Sequence, residues 1–440
     1  MGQQIRPNSA ARQVSANGSH GQKVAKKPPV NQPKATESAK KLTGKQVKKK
    51  TDDPNKIRFF SFHGRVDMPM TVIIFVLLVF GITMMFSAGH AQSWLDNEGD
   101  SYAYTVKQII AAGIGLAGMF VLCFMDYRVL RREFSAFGGK LKFTLAHLIL
   151  AITMFLNFLC LPFGVAAEGD QKRWLKVPVF GTFQPSDFLK VGLIIFMAYY
   201  IHKNFDKIRS FWVGIVKPGI LFLAIVFIMI VIQSHMSGLL IMTAVCAVML
   251  FVGGINMKPV IPVAIALVVI VIIGVSLSGF DYFGDRVKFM DPLSEPGDRS
   301  YQNYQSALAI GSGGIWGKGF GNSTQKYFYL PFAQNDFVYA VLCEEFGLVG
   351  GAVVILLFVI FVMRGFTIAS HAEDRFGCLM ATGITFHIGL QALLNIGVNL
   401  CCVPNTGISM PFFSYGGTAL MIQLWEMGLL LAVSKRAKLN

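Results

Sequence analysis

Long apolar runs alternate with short polar stretches along most of this chain, at a spacing that predicts a series of membrane-crossing helices. Ten runs stand out: 68–88, 104–125, 143–164, 186–202, 211–232, 238–255, 257–278, 337–363, 376–400 and 411–433. A hydrocarbon layer about 30 Å thick takes roughly 20 residues of helix to cross. Lipid offers backbone polar groups no partner, so each run is expected to be helical. The fourth and sixth runs are short and lie close to their neighbours. The pattern therefore predicts an all-α polytopic membrane protein, with one unusually long connection at 279–336.

Composition strengthens this reading. The 440 residues include 38 Phe and 20 Met but only 15% charged side chains, more apolar surface than a soluble core of this length would hide. The seven cysteines lie in or beside the apolar runs without zinc spacing, so they read as small packing residues rather than a disulfide framework. No cleavable signal peptide is evident, because the first apolar run comes too late.

The net charge of +16 is unevenly placed. Residues 1–57 carry thirteen Lys or Arg against Glu37, Asp52 and Asp53, which predicts a basic, disordered tail held near anionic headgroups. No aromatic interleaving or folded module accompanies these charges, so nucleic acid is not the expected partner. A basic tail belongs on the cytoplasmic side. Alternation then places the basic loops 126–142 and 203–210, and the short tail 436–440, on that side as well. Both termini are expected inside and residues 279–336 outside.

The outer loop ends in a glycine-rich stretch, GSGGIWGKGFGNSTQK (311–326), that looks like a phosphate-binding loop. A P-loop needs Gly, four residues, then Gly-Lys-Ser/Thr. Counting back from Lys318 puts Ser312 where the first glycine belongs, and Gly319 stands where the hydroxyl belongs. No G-x-G-x-x-G frame fits either, and the outer face has no ATP. A loop of this length is nonetheless a functional candidate.

Acids and bases alternate along the loop. Asp285, Asp291, Glu295 and Asp298 stand beside Arg286, Lys288 and Arg299. Local ion pairs would account for them; so would a general base beside cations that steady a departing phosphate. Arg173, Trp174 and Lys176 precede the fourth run, and Asp187 and Lys190 lie one turn apart just inside it. A charged pair at that depth is costly unless matched or functional. His235 in a short loop reads as neither metal ligand nor proton carrier. Glu344 and Glu345 enter the eighth run beside Asp336, which a helix-capping role for Asp336 would partly explain. Pro404, Gly407, Pro411 and Gly416-Gly417 break helix in the last outer loop, as either a re-entrant element or a rigid cap.

Several stretches, taken together and in order, resemble the SEDS family (shape, elongation, division and sporulation), whose members include FtsW, RodA and SpoVE. They are QPSD, RVKFMDP, YQNYQSALAIGSGGIWGKGFGNSTQK, YLPFAQNDFVYAVLCEEFGLVGG and PNTGISMPFFSYGGTAL, and the resemblance runs from about 65 to 435. GNSTQK…YLP is more similar to the FtsW/SpoVE branch than to RodA. The resemblance implies a peptidoglycan glycosyltransferase that joins lipid II through β-1,4 bonds at the outer surface. It also implies a class B penicillin-binding protein as partner, with other division or sporulation septum proteins around it.

The family's loop acid, six residues before Tyr/Trp-Gln, falls on Glu295 rather than Asp, with Asp298 as the nearby substitute. Its Q-P-S-E is Gln184-Pro185-Ser186-Asp187 here. Ser234-His235 stands where a Pro-Asp pair is common, and Gln334-Asn335-Asp336-Phe337 where His-Thr-Asp-Phe is common. The implied substrate-binding residues are Arg173, Trp174, Lys190, Arg286, Lys318, Gln325, Lys326, Asp336 and Ser414. No protein metal site is implied, though a divalent cation (Mg or Mn) fits the chemistry. Two rival readings stand beside the polymerase: a lipid II flippase, which needs a polar path through the bundle, and a non-catalytic scaffold.

Overall fold

The computed structural model describes residues 59–60, 64–136, 141–166, 172–177, 181–233, 235–256, 258–260, 298–405 and 407–438. All of them belong to one compact unit, Ile57–Asn440. The seventh predicted run lies almost wholly outside the described residues, as do the basic tail and most of the long loop. The other nine predicted runs each correspond to a helix.

These helices are α1 (Met68–Asp96), α2 (Ala103–Phe124), α3 (Leu145–Phe163), α4 (Pro185–Lys203), α5 (Trp212–Ile232), α6 (Met236–Val252), α8 (Val338–Ser370), α9 (Arg375–Asn399) and α10 (Gly417–Ser434). Seven are long and apolar enough to cross a membrane; α4 and α6 fall outside that set. The two predicted weak runs are therefore the two short or charged helices. A further helix, α7 (Asp298–Gly313), stands where the sequence predicts only a loop.

Two small sheets lie between the helices. In one, β1 (Glu133–Ala136) pairs antiparallel with β2 (Leu141–Thr144), setting Glu133 opposite Thr144. In the other, β3 (Gly164–Ala166), β4 (Lys172–Val177) and β5 (Gly181–Phe183) form an antiparallel meander that leads into α4.

Local chemistry sets the helix ends. Asp67 caps α1 by accepting from the Met70 N–H at 2.8 Å, with Pro69 in the first turn where its missing N–H costs nothing. Asp374 caps α9 in the same way, through the Gly377 N–H at 3.2 Å. Inside the bundle, helices meet through small residues, since apolar contact alone gives no preference over lipid. A Cβ added at Gly428 of α10 would lie 2.6 Å from the Met119 carbonyl of α2, so the two backbones touch there.

Ion pairs gather where the basic loops meet the helix ends. Arg364 of α8 forms a two-toothed pair with Asp67, at 3.0 and 2.5 Å, and the Asp67 N–H donates to Ser434 Oγ. Asp126 takes both Arg128 and Arg436 at 3.0 Å. Asp374 takes Arg131 at 2.6 Å and the Tyr127 hydroxyl at 2.7 Å; burial, then the neighbouring carboxylate, pushes that phenol's pKa up. Paired in this way, these acids tie the ends of α1, α8, α9 and α10 together on the face with the basic loops.

Candidate functional site

Two polar clusters and a third segment hold the residues singled out from the sequence, apart from Arg286, Glu295 and Asp298 of the long loop. The first cluster is at the head of α4. Gln184 is the residue before the helix and Pro185 opens it. That geometry sets Asp187 and Lys190 one turn apart, and their side chains meet at 2.7 Å, nearly buried. Arg173 reaches in from β4 and donates from Nε to the Gln233 carbonyl at 3.1 Å. The Gln233 amide donates to Asn157 Oδ1 at 2.7 Å, and Asn157 donates to the Pro185 carbonyl at 3.0 Å. This chain of bonds fixes α3, β4 and the start of α4 relative to one another.

His235, expected to be neither metal ligand nor proton carrier, belongs to this cluster. Its Nδ1 lies 3.2 Å from the Gln184 amide and 3.4 Å from Ser186 Oγ. Burial, helped by the charges of Lys190 and Arg173, pushes its pKa down to about 3, with Asp187 acting against them. The ring is therefore neutral at physiological pH. Among the described residues, Arg173, Lys190, Asp187 and a neutral imidazole share the site, where two cationic side chains could meet an anionic ligand. Trp174 sits beside them in β4, opposite Val165.

The second cluster answers the question raised by the glycine-rich stretch. Its donors do wrap an anion, and that anion belongs to the chain itself. Glu344, fully buried in α8, accepts from Lys318 Nζ at 2.6 Å, Ser323 Oγ at 2.5 Å and the backbone N–H groups of Thr324 and Gln325 at 3.1 and 3.2 Å. Glu345, also fully buried, accepts from Lys326 Nζ at 2.9 Å and from Ser87 Oγ of α1 at 2.6 Å. Lys326 also donates to the Gly321 carbonyl at 2.6 Å.

A break in α8 makes the docking possible. Gly347 adopts φ 67°, ψ −165° within the helix. The freed carbonyls of Glu344 and Glu345 then accept from the Lys318 and Gly319 N–H groups at 3.0 and 2.9 Å. The backbones meet so closely that a Cβ at Gly317 would lie 2.2 Å from the Glu345 carbonyl oxygen.

Asp336 and Ser414 lie in the third segment. Asp336 does not cap α8 as the sequence suggested: that position is Phe337, with no side-chain cap bond. The Asp336 carbonyl instead accepts from Asn395 and Asn399 of α9 at 2.8 and 2.9 Å. Ser414 Oγ accepts from the Met410 N–H at 2.7 Å, and its carbonyl accepts from Gln108 of α2 at 3.1 Å. The described residues of the 400–416 segment are thus bonded to α2 and α9, as either a re-entrant element or a rigid cap would be. Helix α7 docks on it: Ser306 Oγ donates to the Asn399 carbonyl at 2.8 Å, and Asn405 donates to Gln302 at 2.9 Å.

Arg286 and Glu295 lie outside the described residues. Asp298 begins α7, one turn before Gln302, and its backbone alone is described. Among the described residues no three His, Cys, Asp or Glu side chains gather as metal ligands, and the seven cysteines are free thiols. Sequence reasoning missed the buried His387–Glu426 pair between α9 and α10, at 3.1 Å. A lone acid in the last apolar run was its visible signal.

Comparison with known proteins gives a consistent picture. The FtsW/RodA/SpoVE family model, described as a cell cycle protein, matches residues 68–439. Stage V sporulation protein E of Bacillus subtilis (strain 168) is 34% identical over 383 residues, covering 84% of this chain and 98% of that relative. The probable peptidoglycan glycosyltransferase FtsW of Geobacter sp. (strain M18) is 35% identical over 380 residues, covering 84% and 97%. Among solved structures, a chain from a peptidoglycan synthase complex that coordinates polymerization and crosslinking aligns with a TM-score of 0.69 and 25% identity, covering 85% of this chain and 99% of that one. The Thermus thermophilus rod shape determining protein RodA shares the fold at a TM-score of 0.60 and 24% identity, covering 85% and 98%.

Proposed function

The chain belongs to the FtsW/RodA/SpoVE (SEDS) family, and from that premise we propose that it is a peptidoglycan glycosyltransferase that polymerises lipid II at the outer membrane surface. Its relatives of that name support the reaction class. The observation that carries the reading within this chain is the head of α4, where Arg173, Lys190 and Asp187 gather around a neutral His235. A positive, partly buried site is what a departing pyrophosphate requires.

On this reading the reaction begins in the outer loop. A carboxylate of the outer loop, Glu295 or Asp298, takes the proton of the acceptor sugar's 4-hydroxyl. The oxygen attacks C1 of the lipid-linked donor with inversion, the C1–O bond to phosphate breaks, and undecaprenyl pyrophosphate leaves. The pyrophosphate bond supplies the driving force, so no nucleotide enters. Arg173, Lys190 and Arg286 steady the charge that develops on the leaving group. The prenyl chains stay in lipid while the sugars react above it. The N-terminus and tail lie in the cytoplasm on this reading, and the product goes to a class B penicillin-binding protein for crosslinking during septal synthesis in division or sporulation. The relative solved within a peptidoglycan synthase complex supports that partnership.

The test is polymerisation of purified lipid II with the partner's transpeptidase blocked. The wild type is expected to make chains, and Glu295→Gln or Asp298→Asn to abolish them while the complex stays intact. A wild type that makes none, under conditions where a relative does, overturns the polymerase reading in favour of flippase or scaffold.

A further inference from the structure

One face of α9 carries a polar side chain at every fourth position: His387, Gln391, Asn395 and Asn399. All four are buried in a helix that is otherwise apolar on that face. Four-residue spacing stacks side chains one above another, so the four form a ladder about 18 Å long. At its outer end Asn399 and Asn395 hold the Asp336 carbonyl, and Asn395 also holds the Ile408 carbonyl at 2.7 Å. Gln391 donates to the Ser409 carbonyl at 2.9 Å. At the inner end His387 Nδ1 lies 3.1 Å from both carboxylate oxygens of Glu426.

The two outer rungs are satisfied by the carbonyls they bind, and a structural role accounts for them. The inner two are not accounted for in that way. His387 Nε2 and Gln391 Oε1 are both buried and have no hydrogen-bond partner in the protein. They sit one turn apart, about 6 Å along the axis, a gap that one or two waters bridge. Buried polar atoms are costly to leave without a hydrogen bond. Inward of the pair the ladder stops: Gly383, one turn on, packs against Ile194 of α4 and Met249 of α6, and Leu430 follows Glu426 on α10.

We propose that this ladder is a hydrated half-channel, open toward the 400–416 segment and closed at His387–Glu426, through which water and protons reach the buried pair from that side alone. The charged residues of the helices around it have partners of their own, and on α8 these include Glu344 and Glu345, held by Lys318 and Lys326. Glu426 is the sole charged residue of α10, and α6 carries none. The charges of α4 nearest this level, Asp187 and Lys190, are paired with each other, and Arg364 of α8 is paired with Asp67. The half-channel thus couples the outer solution to the contact between α9 and α10, the two helices joined by the 400–416 segment.

Thiol labelling tests this without any assay of activity. Gln391→Cys and Asn395→Cys variants in sealed proteoliposomes would be exposed to methanethiosulfonate ethylammonium and to silver ion from either side, with sites read by peptide mass spectrometry. Exposed Cys402 is the native reporter of the side. Both ladder positions are expected to react from the Cys402 side and not from the other, while Leu430→Cys reacts from neither. Ladder thiols that stay unreactive to silver while Cys402 reacts, or that react from both sides, overturn the proposal. If Cys402 and the ladder react together from the cytoplasmic side, the proposal stands and the orientation given under Proposed function falls. Should the variants fail to fold, radiolytic hydroxyl footprinting of the unaltered chain is expected to oxidise His387, and its protection overturns the proposal.

Discussion

Lys326 Nζ lies 2.9 Å from Glu345 Oε1, with Ser87 Oγ of α1 bonded to both, and neither charged side chain reaches solvent to any appreciable degree. The contact joins a loop, a long helix and the first helix of the bundle through three atoms. Removing one member of a buried pair strands the other, at about 3–5 kcal/mol. Lys326→Met and Glu345→Gln are each expected to lower the thermal midpoint in detergent markedly. The double variant should recover part of that loss, as seen in a double-mutant cycle of thermal stability.

Two glycines of the same stretch should behave oppositely. Gly317 has φ 80° and no room for a Cβ, whereas Gly311 lies in α7 with nothing within 4 Å of the added carbon. Gly317→Ala is expected to destabilise by about 2 kcal/mol or more. Gly311→Ala should be neutral or stabilising by up to about 1 kcal/mol, as alanine replaces glycine in a helix. Paired melting curves decide it.

At the head of α4, Lys190→Met removes one of two cations and leaves Asp187 half-matched. Polymerisation of lipid II is expected to slow by about a hundredfold, the lower end for losing one group that stabilises developing charge. Lys190→Arg keeps the charge and should retain more of the rate. A Lys190→Met protein that polymerises at the wild-type rate would remove this site from the reaction.

His235 gives a pH dependence of defined sign. In the unfolded chain its ring takes a proton near pH 6.5, whereas in the fold it does so only near 3. Between those values the unfolded state holds the extra proton, so the native state loses stability as pH falls from about 6.5 toward 3. Above that window the residue contributes no slope. Thermal midpoints measured against pH should fall less steeply over that window in His235→Gln than in the wild type.

Most of the membrane-spanning framework was legible because apolar runs of this length leave little choice in lipid. The two weakest predicted runs became α4 and α6, and the cause is visible in the residues: α4 carries Asp187 and Lys190, and α6 has only 17 residues. Helix α7 was hidden, since a polar helix of sixteen residues has no apolar run to announce it. The small strands of 133–144 and 164–183 were equally silent in sequence. Asp336 misled because a carboxylate ahead of a helix usually caps it, whereas here its backbone carbonyl does the binding. Glu344 and Glu345 drew attention as acids near lipid, but their lysines were assigned to substrate; eighteen or more residues separate the partners, and only the turn of the chain brings them together. The ladder of α9 was readable in principle, as four polar residues at one spacing, yet each alone looks unremarkable within an apolar run.

The docking of the glycine-rich loop on α8 also bears on how the chain is made. Ser87 is synthesised first, Lys318 and Lys326 follow, and Glu344 and Glu345 come last. Each acid therefore enters the bilayer after its cation has already been delivered, so neither carboxylate has to wait bare in lipid for a partner still on the ribosome. Moving the lysines to a position after α8 in the chain would reverse that order, leaving the finished fold possible but its insertion exposed to two unmatched charges.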